Sequence, residues 1–159
     1  MKYYKAHWGG RLVSLTVVQT ALCLGVAVYG SRHGHGGLCL AALALTIGCA
    51  LFSILGYTIT PDAILVHRPF WATRLPLAGL QSAQTGPRGR SWRSIFIGNK
   101  GFFFFGGWSY VPGGGLYRIY VTDPNQKVLL HYSNRKVMVS PCAPEQFVHD
   151  LPIQAGNRL

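Results

Sequence analysis

Acidic residues are nearly missing from this chain: 4 Asp and Glu stand against 15 Lys and Arg in 159 residues, a formal charge of +11. Charge of either sign is scarce, at 12% of residues, about half the ~25% of a soluble domain. The apolar share of 49% excludes a disordered polycation. A soluble basic enzyme spreads many charges of both signs over its surface. What remains is a membrane protein with basic flanks, or a nucleic-acid binder.

The motifs of chemistry are also missing. Cys23, Cys39, Cys49 and Cys142 form no C-x-x-C pair, so neither a zinc or iron–sulfur spacing nor a disulfide framework is indicated. His33 and His35 offer two imidazoles where a metal site needs three or four ligands. The four acids, Asp62, Asp123, Glu145 and Asp150, are scattered and make no catalytic pair. No G-x-S-x-G, Walker loop or H-E-x-x-H is present, and Gly113–Gly115 lacks the Lys-Ser/Thr that would cradle a phosphate. The expectation is a non-enzymatic protein with no catalytic residue, no metal and no cofactor.

Long uncharged runs are what the chain does have. Residues 12–30 (LVSLTVVQTALCLGVAVYG) and 38–57 (LCLAALALTIGCALFSILGY) are each about 30 Å long as a helix, which matches the hydrocarbon core. Seven residues, Ser31 to Gly37, join them, and a link so short and Gly-rich predicts an antiparallel transmembrane hairpin. Lys2, Lys5 and Arg11 precede the first run, whereas the connector carries only Arg32. The positive-inside bias places the N-terminus in the cytoplasm, with Trp8 as an interfacial anchor. An even number of crossings returns the chain there, and Arg68 and Arg74 fit the same orientation. Both termini are thus expected on the cytoplasmic side of an inner membrane. Recurring small residues (Ala41, Ala42, Ala44, Gly48) suit packing of the hairpin on itself, and Gln19 offers a hydrogen bond at mid-membrane.

The predicted domains are a hairpin over 1–57 and a cytosolic domain over 58–159. The second half reads as a meander of short strands: 57–60, 63–68, a broken run over 73–85, 94–97, 116–121, 127–132 and 136–139, punctuated by Pro and Gly turns. Pro144 to Leu151 then places Phe147, Val148 and Leu151 on one helical face. Expected is a mainly-β barrel of about seven strands closed by one C-terminal helix. Tyr57-x-Ile59-Thr60, Ala63-Ile64-Leu65-Val66, Leu75-Pro76-Leu77 with Leu80-Gln81-Ser82, Gly101-Phe102 through Gly106, Tyr117-x-x-Tyr120-Val-Thr-Asp123 and Ser140-Pro141…Glu145-x-Phe147 follow one another in that order. In this order they resemble the bacterial pleckstrin-homology (PH-like) domain family over residues 55 to 152. The resemblance implies a PH-like domain, often found behind membrane helices. It does not imply a ligand, because fold does not fix function.

Two segments are candidate contact sites. Arg88, Arg90 and Arg93 share a Gly/Pro loop with Trp92, which suits lipid headgroups or a partner at ~1 kcal/mol per basic residue. A solvated loop obeying the positive-inside bias is the plainer reading of the same residues. Nucleic acid would use the same arginines, and the membrane context argues against it. Gly101 to Tyr110 carries Phe102, Phe103, Phe104 and Phe105, then Trp108. In a strand alternate residues face opposite ways, so the segment predicts either cover from elsewhere or contact with the bilayer or a partner. The expected partners are the lipid bilayer and other membrane subunits. The expected function is scaffold, assembly or regulatory subunit of a membrane complex, with an anionic-lipid sensing module as the alternative.

Overall fold

Apolar sequence with no Pro, charged only at Arg11 and Arg32, forms two antiparallel helices, α1 (Gly10–Arg32) and α2 (Gly36–Leu51). They belong to a computed structural model that describes residues 1–86, 95–111 and 115–152. With 23 residues, α1 is long and apolar enough to cross a membrane, and only 11% of its most apolar 18-residue window is buried. The core helix of a soluble domain would be mostly covered. The 16-residue α2 is apolar but shorter, about 24 Å. Ala27, Gly30 and Ala42 are buried, and a Cβ on Gly30 would strike the His35 carbonyl oxygen at 2.9 Å. Small residues therefore let the helices approach at their turn.

The apolar run to Tyr57 predicts a helix to that point, but α2 ends at Leu51 and Gly56–Ile59 is strand β2. Tyr57 explains the difference. Its ring is fully buried in the β domain, and its hydroxyl donates to the Tyr120 carbonyl at 2.8 Å and accepts from the Ser140 N–H at 3.2 Å. The end of α2 is received by that domain. Trp8 Nε1 donates to the Ile54 carbonyl at 3.3 Å, and the Arg68 guanidinium donates to the Phe52 carbonyl.

Two sheets follow. The first is four-stranded, ordered β1 (Lys2–Lys5), β2, β3 (Ala63–His67), β4 (Ala72–Pro76). The second is six-stranded, ordered β5 (Leu80–Thr85), β9 (Val128–Tyr132), β10 (Lys136–Val139), β8 (Gly115–Val121), β7 (Phe105–Val111), β6 (Ile95–Lys100). All neighbours are antiparallel except β8 and β10. The helix α3 (Pro144–His149) follows, with Pro at its first turn and Phe147 fully buried. The predicted run over 73–85 is two strands in different sheets, because Leu77–Gly79 carries the chain from one to the other. The meander predicts about seven strands, whereas nine lie between Gly56 and Val139 among the described residues.

The tenth strand lies ahead of the hairpin. β1 pairs with β2 across the whole helical excursion, Tyr4 opposite Tyr57. Cys142 N–H donates to the Lys5 carbonyl at 3.0 Å, Ala6 N–H to the Leu55 carbonyl at 3.0 Å, and Ala6 bridges to Pro141. Lys2 Nζ reaches Asp150 at 2.8 Å, and the Tyr4 hydroxyl donates to the same carboxylate. The main core between the sheets joins Tyr4 and Ala6 to Ile64, Val66, Leu130, Val139 and Phe147. A smaller core lies on the other face of the six-stranded sheet, where Leu12 of α1 meets Phe105, Tyr117, Ile119, Val121 and Met138.

Burial pushes the hydroxyls of Tyr57 and Tyr4 up to about 12 from the ordinary 10. Both are favoured neutral by the fold, so their contribution is complete below pH 10 and is lost as pH rises towards 12. Tyr57→Phe leaves the Ser140 N–H without its buried acceptor. It is expected to lower stability near neutral pH by about 1–3 kcal/mol and to reduce the loss above pH 10, measured by denaturant unfolding of the detergent-solubilised protein.

Candidate contact surface at the helix–domain junction

Between β6 and β7 the chain turns through Gly101–Phe104, held from within by the Asn99 amide. Asn99 Oδ1 accepts from the N–H groups of Gly101 (3.1 Å) and Phe102 (2.8 Å), and Asn99 Nδ2 donates to the Phe102 carbonyl at 2.7 Å. Phe103 takes a φ of 66°, a left-handed conformation that costs an L-residue about 1–2 kcal/mol. Thr16 of α1 holds it there. Its hydroxyl donates to the Gly101 carbonyl at 3.3 Å and accepts from the Phe103 N–H at 3.1 Å. A turn rather than a strand resolves the alternation conflict of four successive phenylalanines. Phe102, Phe104 and Phe105 are buried and Phe103 half-buried. Phe105 faces Leu12, and Phe104 lines a shallow apolar depression with Ala44, Leu45, Gly48, Cys49, Phe52 and Asn99. The helical hairpin supplies their cover.

Beside this turn stands a cationic centre that residue counting does not reveal. Arg68 is 9% exposed. Its guanidinium carbon lies 5.3–6.0 Å from the ring centroids of Phe52, Trp71, Phe104 and Tyr120. One Nη donates to the Phe52 carbonyl at the end of α2, where the helix dipole favours a cation. Its Nε is buried without a hydrogen-bond partner. Desolvation lowers its pKa, and the neighbouring Arg118 pushes the same way. Arg118, on β8, lies 4.9 Å over the Trp108 ring and 5.8 Å from that of Tyr120. Among the described residues neither guanidinium has an acidic partner. Asp62 faces Arg74 at 4.0 Å, Asp123 faces His7, and Asp150 faces Lys2 and His149.

Arg118 and Trp108 belong to an open sheet face. Ile97 is paired opposite Trp108, Trp108 opposite Arg118, and Tyr110 opposite Leu116. All are exposed, Ile97 to 70%. They share the sheet side of Tyr120, beyond the reach of the four-stranded sheet. β6 is the outer strand here. Gly98 and Gly107 face one another in its pairing with φ of 142° and 140°, and a Cβ on either would strike the opposite backbone. Nearer α2, Phe52, Leu55, Phe70 and Trp71 form a second exposed apolar group, with Phe70 78% exposed.

Of the sequence-predicted sites, Phe102–Phe105 are thus gathered at the helix junction and Trp108 stands apart from them on the open face. Arg88, Arg90, Trp92 and Arg93 lie outside the described residues. Arg68 and Arg118 were legible in one respect: Ile64, Val66 and Arg68 are in phase, as are Arg118 and Tyr120, so each arginine shares a face with core residues. Among the described residues no group of three or more His, Cys, Asp or Glu comes together.

Asn99→Ala removes the three bonds that its own amide makes to the turn. It is expected to cost about 1–3 kcal/mol and to open Phe102–Phe104 to chymotrypsin, read by the cleavage rate of the folded protein.

The sequence profile of the family described as bacterial PH domain matches residues 55–154. Comparison with curated proteins and with solved structures gave no match.

Proposed function

This chain belongs to the bacterial PH domain family, and from that premise we propose that it is a non-enzymatic subunit that scaffolds, assembles or regulates a complex at the cytoplasmic face of an inner membrane. The observation that carries this reading is the pairing of β1 with β2. The two strands flank the helical hairpin in sequence and lie side by side in one sheet, so both ends of the hairpin leave the same domain. A hairpin so anchored crosses and returns, and both termini stay on one side. A cleavable leader fits this poorly, since cleavage after α1 would remove the edge strand and its clamp to Asp150. α2 reaches the far side if the bilayer thins or the connector of Arg32 to His35 sits within the headgroups.

Such a domain is held rigidly. Leu12 and Thr16 lock α1 to the sheet, and Arg68 and Trp8 lock the end of α2. A rigid mount presents its open face, Ile97, Trp108, Tyr110 and Leu116, at a fixed height above the lipid. An apolar face that ends, among the described residues, at the outer strand β6 suits association with another subunit. Cysteine labelling at Lys2 and after Leu151 is expected to show both positions on the cytoplasmic side. Extracted gently from its own membranes, the wild-type protein is expected to migrate as a larger assembly. Trp108→Asp is expected to migrate as the single chain while keeping its unfolding midpoint. Wild-type migration as a monomer would refute the subunit reading.

A further inference from the structure

The apolar depression and the open sheet face are parts of one track. The depression holds about 290 Å³ between Ala44, Leu45, Gly48 and Phe52 on the hairpin side and Asn99 and Phe104 on the domain side. That volume lies at the bottom of the range for small-molecule sites, which enclose most of their ligand. An open apolar hollow suits the side chains of a neighbouring element instead. Its domain wall leads onto the sheet. Asn99 is paired opposite Gly106, and Gly106 opposite Tyr120. The Phe104 ring lies against Gly106, in the space a Cβ would take. The next row on the same side of the sheet is Ile97, Trp108 and Arg118, and the row beyond it holds Tyr110 and Leu116. All five are exposed. Rows on one side are about 6.7 Å apart, so the sheet prolongs the depression by about 13 Å, or two and a half turns of helix. Arg118 is the one charge among these five. Among the described residues it has no acidic partner. An occupant of the whole track must bring apolar surface along its length and an acid to one point.

We propose that the track receives a transmembrane helix of another subunit. This helix packs on α2 at Ala44 and Gly48 and continues into the cytoplasm across the sheet face, with an Asp or Glu opposite Arg118. Small side chains at 44 and 48 allow close approach of a helix backbone. An apolar helix face laid in a groove is a recurrent mode of recognition, and a charge pair sets its register. A second copy of this chain cannot supply such a helix. Both of its long helices stop four residues from a strand, and neither contains an acid. An acyl chain would fill the depression but end at the hydrocarbon boundary, leaving Ile97 and Trp108 uncovered.

The proposal rests on the subunit reading above and adds the kind of partner and its course. A photo-crosslinking residue is placed at Leu45 or at Ile97 of the full-length chain. Each variant is irradiated in the protein's own membranes, and adducts are mapped by peptide mass spectrometry. Both positions are expected to reach one polypeptide, within about ten residues of each other, on an apolar span followed by an acidic residue. Arg118→Glu changes an exposed side chain, and its unfolding midpoint is expected to match wild type. It is expected to lower the Ile97 adduct about fivefold, the upper range for an exposed ion pair, and exchange of the partner's acid for Lys to restore it. An undiminished adduct in folded Arg118→Glu overturns the acidic contact. Adducts on two different polypeptides, on a segment without an apolar span, on a second copy of this chain or on lipid alone overturn the proposal, while a larger native assembly leaves the subunit reading standing. A wild-type monomer overturns both.

Discussion

The rest of the structure depends on one constraint: the chain must leave a sheet at Lys5 and return to the neighbouring strand at Gly56. Adjacent strands lie about 4.8 Å apart. The ends of α1 and α2 that face the domain are therefore tethered close to one another, each by four residues to its own strand. The buried contacts of the junction follow from this. Leu12 can fill the outer face of the six-stranded sheet because α1 always starts there. Thr16 can hold Phe103 in a left-handed conformation because the turn and α1 keep one spacing. Arg68 can sit at the end of α2 because that end is fixed over β3.

The same constraint gives meaning to the aromatic segment. In isolation, four successive phenylalanines are an aggregation liability. At the junction Phe105 packs on Leu12 of α1, Phe104 on residues of α2, and Phe102 on Phe103. The strain of Phe103 is offset by the hydrogen bond its N–H donates to Thr16, while Asn99 braces Gly101 and Phe102 just before it. Hairpin and domain thereby complete one another: the hairpin covers Phe104 and Phe105, and the domain caps the Phe52 carbonyl through Arg68.

Local sequence carried much of this. Uncharged length marked α1, alternation marked β3, β8, β9 and β10, Pro144 and the Phe147/Leu151 spacing marked α3, and the order of loose motifs marked the family. What stayed hidden was non-local. Nothing in Lys2–Lys5 announces a strand, since its partner lies beyond two helices and its polarity reads as a basic flank. The end of α2 was hidden for the same reason: Phe52–Tyr57 is as apolar as the helix before it, and it is pairing with β1 and β3 and the burial of Tyr57 that make a strand from Gly56 onward. Arg68 reads as a topology signal until its phase with Ile64 and Val66 is taken seriously. In that phase a charge points into the core, and the question becomes what it meets there.

Joining β1 to β2 closes a loop of about fifty residues, which for a flexible chain costs about 3–4 kcal/mol of entropy. A preformed helical hairpin removes most of that cost, because α1 and α2 bring their lower ends together before any strand pairs. The small residues at their turn, Gly30 against the His35 carbonyl, thus contribute to the stability of a sheet on the opposite end of the hairpin. β1 also leaves the ribosome long before β2. It has no partner until both helices and β2 have followed it. A basic, tyrosine-rich segment can wait in water or at an anionic headgroup surface without aggregating. The scarcity of acid in this chain has its local counterpart here: Asp150 meets both Lys2 and Tyr4 and holds the waiting strand once it arrives.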